Sequence, residues 1–242
     1  MKKLRTLLFL LLSLALTGCF DITEELTLNK DGSGIYSLSF DLSKLMQNPM
    51  FNEVLQENQN AELPNLSEKV DTIIKFTDLP AEKKQQLDRP AFWDKVSLQI
   101  VSDEQAGEMK STLLLNFDDL SDIEYFYKNL DKFNDSGNIA STESLGGAGN
   151  FLGGGAMFVL KGKKLTRLEV SSEPAFADAE ELEFAKMFFA SGTYTTIYNL
   201  PGRVKKVSRS NARISGNQVT FKYALMDIIN AETSMGCDIR FK

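Results

Sequence analysis

The sequence predicts an α+β fold, an antiparallel sheet built from hairpin-helix units whose helices cover one face. Three observations lead there. Apolar and polar residues alternate at period two in several short runs, the pattern of half-buried strands. Glycine-bearing turns separate neighbouring runs, so the strands pair locally as hairpins. Apolar stripes at helical spacing follow three of these hairpins, and helices attached this way bury their apolar faces against the sheet.

In chain order, Ile22, Leu26 and Leu28 alternate with Thr23, Glu25 and Thr27. Asp31-Gly32-Ser33-Gly34 supplies the positive φ of a tight turn, and Tyr36, Leu38 and Phe40 alternate on the return strand. After Asp41 the period changes. Leu42, Leu45, Met46, Phe51, Val54 and Leu55 form a helical stripe broken at Asn48-Pro49, where proline forces a kink or a restart. Gln56 to Asn65 is a polar loop. Val70, Ile73, Ile74 and Phe76 predict a short helix, and Ala81 to Leu87 a second, exposed one.

Phe92 and Trp93 precede the second hairpin, in which Val96, Leu98 and Ile100 lead through a turn at Asp103 to Gly107 into Met109 to Phe117. Asp118 or Asp119 can cap the next helix, striped by Leu120, Ile123, Phe126, Tyr127, Leu130 and Phe133. A third hairpin runs from Met157 to Val170 around Lys161-Gly162-Lys163-Lys164, and Pro174 opens a helix through Leu182, Ala185, Phe188 and Phe189 to Ser191-Gly192. The remainder is β-rich. Tyr194, Thr196 and Tyr198 alternate, Ala212 and Ile214 form a short strand, Val219, Phe221 and Tyr223 return from Ser215-Gly216-Asn217, and Cys237, Ile239 and Phe241 form a last strand. Between the second helix and the third hairpin, residues 134–155 carry Gly146-Gly147-Ala148-Gly149 and Gly153-Gly154-Gly155. Glycine at that density disfavours regular structure, so this is either a flexible loop or a flap whose Phe151 and Leu152 touch a partner.

The chain begins with Lys2, Lys3 and Arg5 followed by an apolar run from Leu7 to Leu16, the layout of a secretory signal. Such a run makes only about 15 Å of helix, against roughly 30 Å of bilayer hydrocarbon. Leu16-Thr17-Gly18-Cys19 closes the run and resembles a bacterial lipobox. The resemblance implies removal of residues 1–18 and acylation of Cys19 with two or three chains, palmitate among them. It leaves residues 19–242 as a single domain tied to the membrane of a cell envelope. One chain binds only reversibly, whereas two or three hold. Phe20, not an acidic residue, follows the cysteine, which by analogy with sorting in Gram-negative hosts points to the periplasmic side of the outer membrane.

Composition narrows the function further. Loss of Lys2, Lys3 and Arg5 moves the formal charge from −6 to about −9, which argues against nucleic acid as a partner. The chain contains no histidine, which removes the commonest general base and histidine metal sites. With Cys19 acylated, Cys237 has no intrachain partner. It is either a core strand residue or a thiol open to intermolecular pairing. Glu24-Glu25, Asp118-Asp119 and Glu180-Glu181 read as structural or solvated, since adjacent strand residues face opposite ways. Asn29 to Gly34 lacks the later ligands of a calcium loop, and Gly162-Lys163-Lys164 lacks Walker spacing. No catalytic residue, cofactor or metal is expected. Lys205, Lys206 and Arg209, with Arg203 and Arg213, form a basic cluster that is either a solvated face or a dock for an acidic group.

Two patches resemble the LppM-like group of bacterial lipoproteins. One is Cys19 followed by a strand and Asp31-Gly32-Ser33-Gly34. The other is Leu200-Pro201-Gly202-Arg203-Val204, then Asn211-Ala212, then Gly216 to Phe221. They cover about a fifth of the chain and consist of turn residues, with Phe221 where the family favours tryptophan. The resemblance implies an α+β lipoprotein domain that binds envelope lipid, and it transfers no functional residue.

Together these readings give the expectation of a non-catalytic envelope module, anchored through Cys19. Its ligand would be a lipid or another hydrophobic component held near Phe126, Phe184 and Phe188. The alternative is a protein-interaction or assembly factor; a carboxylate-only hydrolase is the least supported reading.

Overall fold

The computed structural model describes residues 20–47, 69–75, 77, 88–103, 105–129, 156–168, 182–183, 186 and 189–242. The hairpins form as their alternation predicts. Strand β1 (Asp21–Leu28) pairs antiparallel with β2 (Gly34–Asp41). Gly32, at φ 94°, turns the chain between them, and Asn29 N–H donates to the Ser33 carbonyl at 2.8 Å. Strand β4 (Val96–Asp103) pairs with β5 (Glu108–Phe117), and β10 (Arg213–Ser215) with β11 (Gln218–Ala224).

These strands join β3 (Val70–Lys75) and β8 (Thr193–Asn199) in one eight-stranded sheet, ordered β10-β11-β8-β1-β2-β5-β4-β3. Among the described residues its one parallel contact lies near the centre, where β1 runs beside β8 from Asp21 opposite Thr193 to Thr27 opposite Asn199. A second, four-stranded sheet is ordered β6-β7-β12-β9, from β6 (Phe158–Lys161), β7 (Lys164–Arg167), β9 (Val204–Val207) and β12 (Cys237–Phe241).

The expected fold class is therefore corrected. The chain is mostly β, with two sheets in place of one sheet under a helix layer. Inward residues of the small sheet (Leu165, Cys237, Ile239, Phe241) share a core with Leu26, Leu38, Tyr198 and Phe221 of the large one. Period-two alternation reports which residues face inward but not which sheet a strand joins. The third hairpin thus pairs through β7 with β12 and not with its sequence neighbours.

Helices among the described residues are short: α1 (Ser43–Met46), α2 (Pro90–Trp93), α3 (Ser121–Lys128) and α4 (Leu225–Ile229). Helix α3 buries Ile123 and Phe126, two positions of its expected stripe. At its start Asp119 Oδ1 accepts from the Ser121 N–H at 2.8 Å, while Asp118 instead takes the Lys95 ammonium at 2.5 Å. Val70 to Lys75, expected as helix, is an edge strand paired with β4. Val70, Ile73 and Ile74 fit either period, and the β-branched content of the segment sides with the strand. The helices expected at 81–87 and from Phe51 to Leu55 lie outside the described residues, as do residues 134–155 and most of the helix expected after Pro174.

Candidate functional site

Cys19 and residues 1–18 lie outside the described residues; the described fold starts one residue later. Phe20 is 5% exposed. Its ring packs against Phe40 and Phe189, with centroids 6.4 and 5.2 Å away, and its carbonyl accepts from the Thr193 N–H at 3.2 Å. Gly192 permits that approach, because a Cβ there would lie 2.5 Å from the Phe20 oxygen. Asp21 fastens the same end. Its Oδ1 accepts from the Thr193 hydroxyl at 2.5 Å, and its Oδ2 pairs with Lys44 Nζ at 3.2 Å. Residue 19 is thus covalently joined to a residue built into the core beside the central strands.

A charge cluster lies between the two sheets. Glu24 on β1 is fully buried, and Arg167 on β7 is 4% exposed. Arg167 Nη1 donates to Glu24 Oε1 at 2.7 Å and to the Tyr198 hydroxyl oxygen at 2.9 Å. The Tyr194 hydroxyl donates to Glu24 Oε2 at 2.6 Å, and the hydroxyls of Tyr36 and Tyr127 share a hydrogen bond of 2.6 Å. Burial pushes all four phenols above their usual range, and the Glu24 charge adds to the rise. Burial works against the Arg167 charge more than any single neighbour favours it, but Glu24 together with Tyr198, Tyr194 and Tyr36 outweighs burial and holds the guanidinium protonated. With both charges sealed from water, the cluster pins one sheet to the other; it offers no open face to a substrate.

Sequence reasoning missed this pair, although the signal was present. Glu24 occupies an inward position between Ile22 and Leu26, and Arg167 an inward position two residues after Leu165. Adjacent Glu25 points the other way and takes the Asn199 side-chain amide at 2.6 Å.

Other expected positions fall as follows. Cys237 is a buried free thiol, and burial raises its pKa to about 11. That matches its core reading and leaves little thiolate at neutral pH. Asp31 accepts from the Ser33 hydroxyl and backbone N–H inside the hairpin turn. Among the described residues no cluster of three acidic, cysteine or histidine side chains could hold a metal. Phe126 is spent on the core; Phe184, Phe188 and Glu180-Glu181 lie outside the described residues. The residues of the basic cluster come from different elements. Arg209 donates to the Ser234 and Gly236 carbonyls and lies over the Tyr223 ring, Arg213 sits on edge strand β10, and Lys205 and Lys206 belong to β9.

No family model matches this chain, and no curated protein does. Among solved structures it resembles the folded domain of LppM from Mycobacterium tuberculosis. The two are 10% identical, with a TM-score of 0.42 over 93% of this chain and 90% of that one. A likeness this weak carries no residue's role across to this chain.

Proposed function

We propose that this chain is a lipid-anchored protein of the bacterial envelope whose β domain is a non-catalytic binding module held against its membrane. The observation that carries the reading is the join at Phe20. The Cys19 of the lipobox-like segment is followed at once by a core residue, so acyl chains on that thiol would tether the sandwich with no flexible spacer. Among the described residues no helix is long and apolar enough to cross a membrane, so membrane residence of these residues would fall to the anchor. Cleavage before Cys19, its acylation and placement at the outer membrane of a Gram-negative host belong to the same proposal.

Binding without catalysis is favoured because, among the described residues, the one charge pair fully removed from water is consumed in joining the sheets. A hydrophobic ligand in the interior would need Phe184 and Phe188, since Phe126 faces the core. Native mass spectrometry of the acylated protein with envelope lipid extract tests for such a ligand, and absence of retained lipid at every ratio would remove it. The assembly-factor reading draws on the edge strands of the larger sheet, which expose Ile73 on β3 and Ile214 on β10.

The anchor itself is tested with a labelled fatty acid in producing cells. Label should enter the protein and vanish in Cys19→Ser, which should also lose membrane fractionation. An unlabelled parent protein would overturn the reading.

A further inference from the structure

The outward face of the small sheet carries a feature that sequence order conceals. Its strands pair Lys161 with Lys164, Lys164 with Arg240, and Arg240 with Lys206. Four cations therefore stand side by side, one on each strand, across about 14 Å at the usual strand spacing. A register shift beside Arg240 places Lys205 next to the row, and Lys161, Lys205, Lys206 and Arg240 are all exposed. Among the described strand residues one carboxylate shares the face, Asp238; it takes Lys164 Nζ at 2.9 Å and the Thr166 hydroxyl at 2.7 Å, with Arg240 near enough to favour its charge. Among the described residues, Lys161, Lys206 and Arg240 form no ion pair.

Like charges directly opposite each other on neighbouring strands oppose pairing. Their spacing is shorter than the screening length of about 8 Å at physiological salt. An acidic chain has thus placed four cations where they work against its own sheet. An anionic partner lying along the row would relieve that repulsion.

From this complementarity we infer that the row is a binding strip for an anionic polymer, a chain that repeats phosphate or carboxylate groups. The charges form one line across the strands, while the next row along the face is Val159, Thr166 and the paired Asp238, so the strip suits a linear polyanion better than a plane of headgroups. Its place agrees. Strand β9 starts where the Val204 N–H bonds to the Gly216 carbonyl, beside the Asn199 end of β8 and away from Thr193 and Phe20. Under the anchored reading, on which this placement rests, the strip lies toward the end of the domain remote from the tether.

The test uses the full acylated chain in neutral detergent micelles, with long-chain inorganic polyphosphate as the probe. Polyphosphate should bind, raise the melting temperature, and lose affinity with salt along a log–log slope of about −3, as for four neutralised charges on a single-stranded polyanion. Lys161→Gln with Arg240→Gln should weaken binding at least tenfold while leaving the unliganded melting temperature equal or higher. A purely structural role for these cations would lower it. Unchanged affinity in that variant, equal competition by orthophosphate at matched phosphate, or displacement by phosphatidylglycerol doped into the micelles would each overturn the inference. Cys19→Ser should bind polyphosphate like the parent, so failure of the anchor would be seen separately from failure of the strip.

Discussion

At the scale of single residues, Glu24 and Arg167 set the energetics of the sandwich interior. A buried pair stabilises little by itself, but removing one partner strands the other charge away from water, at a cost of about 3–5 kcal/mol. Arg167→Met is expected to show a loss of that size in denaturant unfolding, because among the described residues Glu24 would retain only the Tyr194 hydroxyl. Adding Glu24→Gln should recover more than half of it, since a neutral amide leaves no uncompensated charge. Strictly additive losses would show that the two residues are uncoupled. The phenols around them make stability fall in alkali. Tyr36, Tyr127, Tyr194 and Tyr198 keep their protons in the folded state well past the ordinary value of 10.0, chiefly through burial. Unfolded chains release those protons near pH 10, so this contribution is intact below that pH and is lost as pH climbs above it. Each phenol adds up to about 1.4 kcal/mol of destabilisation per pH unit. Absorbance at the phenolate band and ellipticity should therefore change together above pH 10. Ionisation of all the tyrosines with the fold intact would contradict the buried cluster.

At the scale of elements, the first hairpin shows why two glycines in one turn are not equivalent. A Cβ on Gly34 would lie 2.0 Å from the Thr27 carbonyl oxygen and 2.6 Å from the Phe117 ring, whereas one on Gly32 meets nothing within 4 Å. Gly32→Ala is left only with the strain of φ 94°. Thermal unfolding should therefore rank the losses, with about 1 kcal/mol for Gly32→Ala and about 3 kcal/mol or more for Gly34→Ala. The reverse order would mean that the hairpin register is wrong. Turn chemistry and alternation make this hairpin, β4–β5, β6–β7 and β10–β11 legible in the sequence, because each pairs residues close along the chain. The β1–β8 contact is not legible there. It joins Asp21 to Thr193, 172 residues away, and alternation carries no information about which distant strand is the neighbour. The same blindness merges two sheets into one and hides the cation row, whose members become adjacent only through β12. Strand β3 passes for a helix because apolar residues at 70, 73 and 74 satisfy both periods, and α4, at five residues, is too short to show a stripe. Glu24 and Arg167, by contrast, are legible as charges standing in apolar phase.

At the scale of the whole molecule, the absence of a spacer between Cys19 and Phe20 turns an anchor into an orientation. Strand β1 begins at the tether, and its eight residues carry the chain about 26 Å to the opposite end of the sheet. Lys44, paired with Asp21, lies at the tethered end. Ser215, opposite Gln218 and so beside Asn199, lies at the far end. Both are exposed, whereas Cys237 is buried and its raised pKa keeps it protonated, so thiol dyes at neutral pH report only an introduced cysteine. The acylated protein carrying Lys44→Cys or Ser215→Cys can be labelled and placed in neutral phosphatidylcholine vesicles containing a headgroup quencher. Dye at position 44 should be quenched strongly and dye at 215 only weakly. A ten-residue Gly-Ser insert after Cys19, with an r.m.s. span of about 17 Å, should bring the two values together. Equal quenching without the insert would mean that the domain tumbles freely on its acyl chains, and the strip's end of the domain would then approach the bilayer as often as the tethered end.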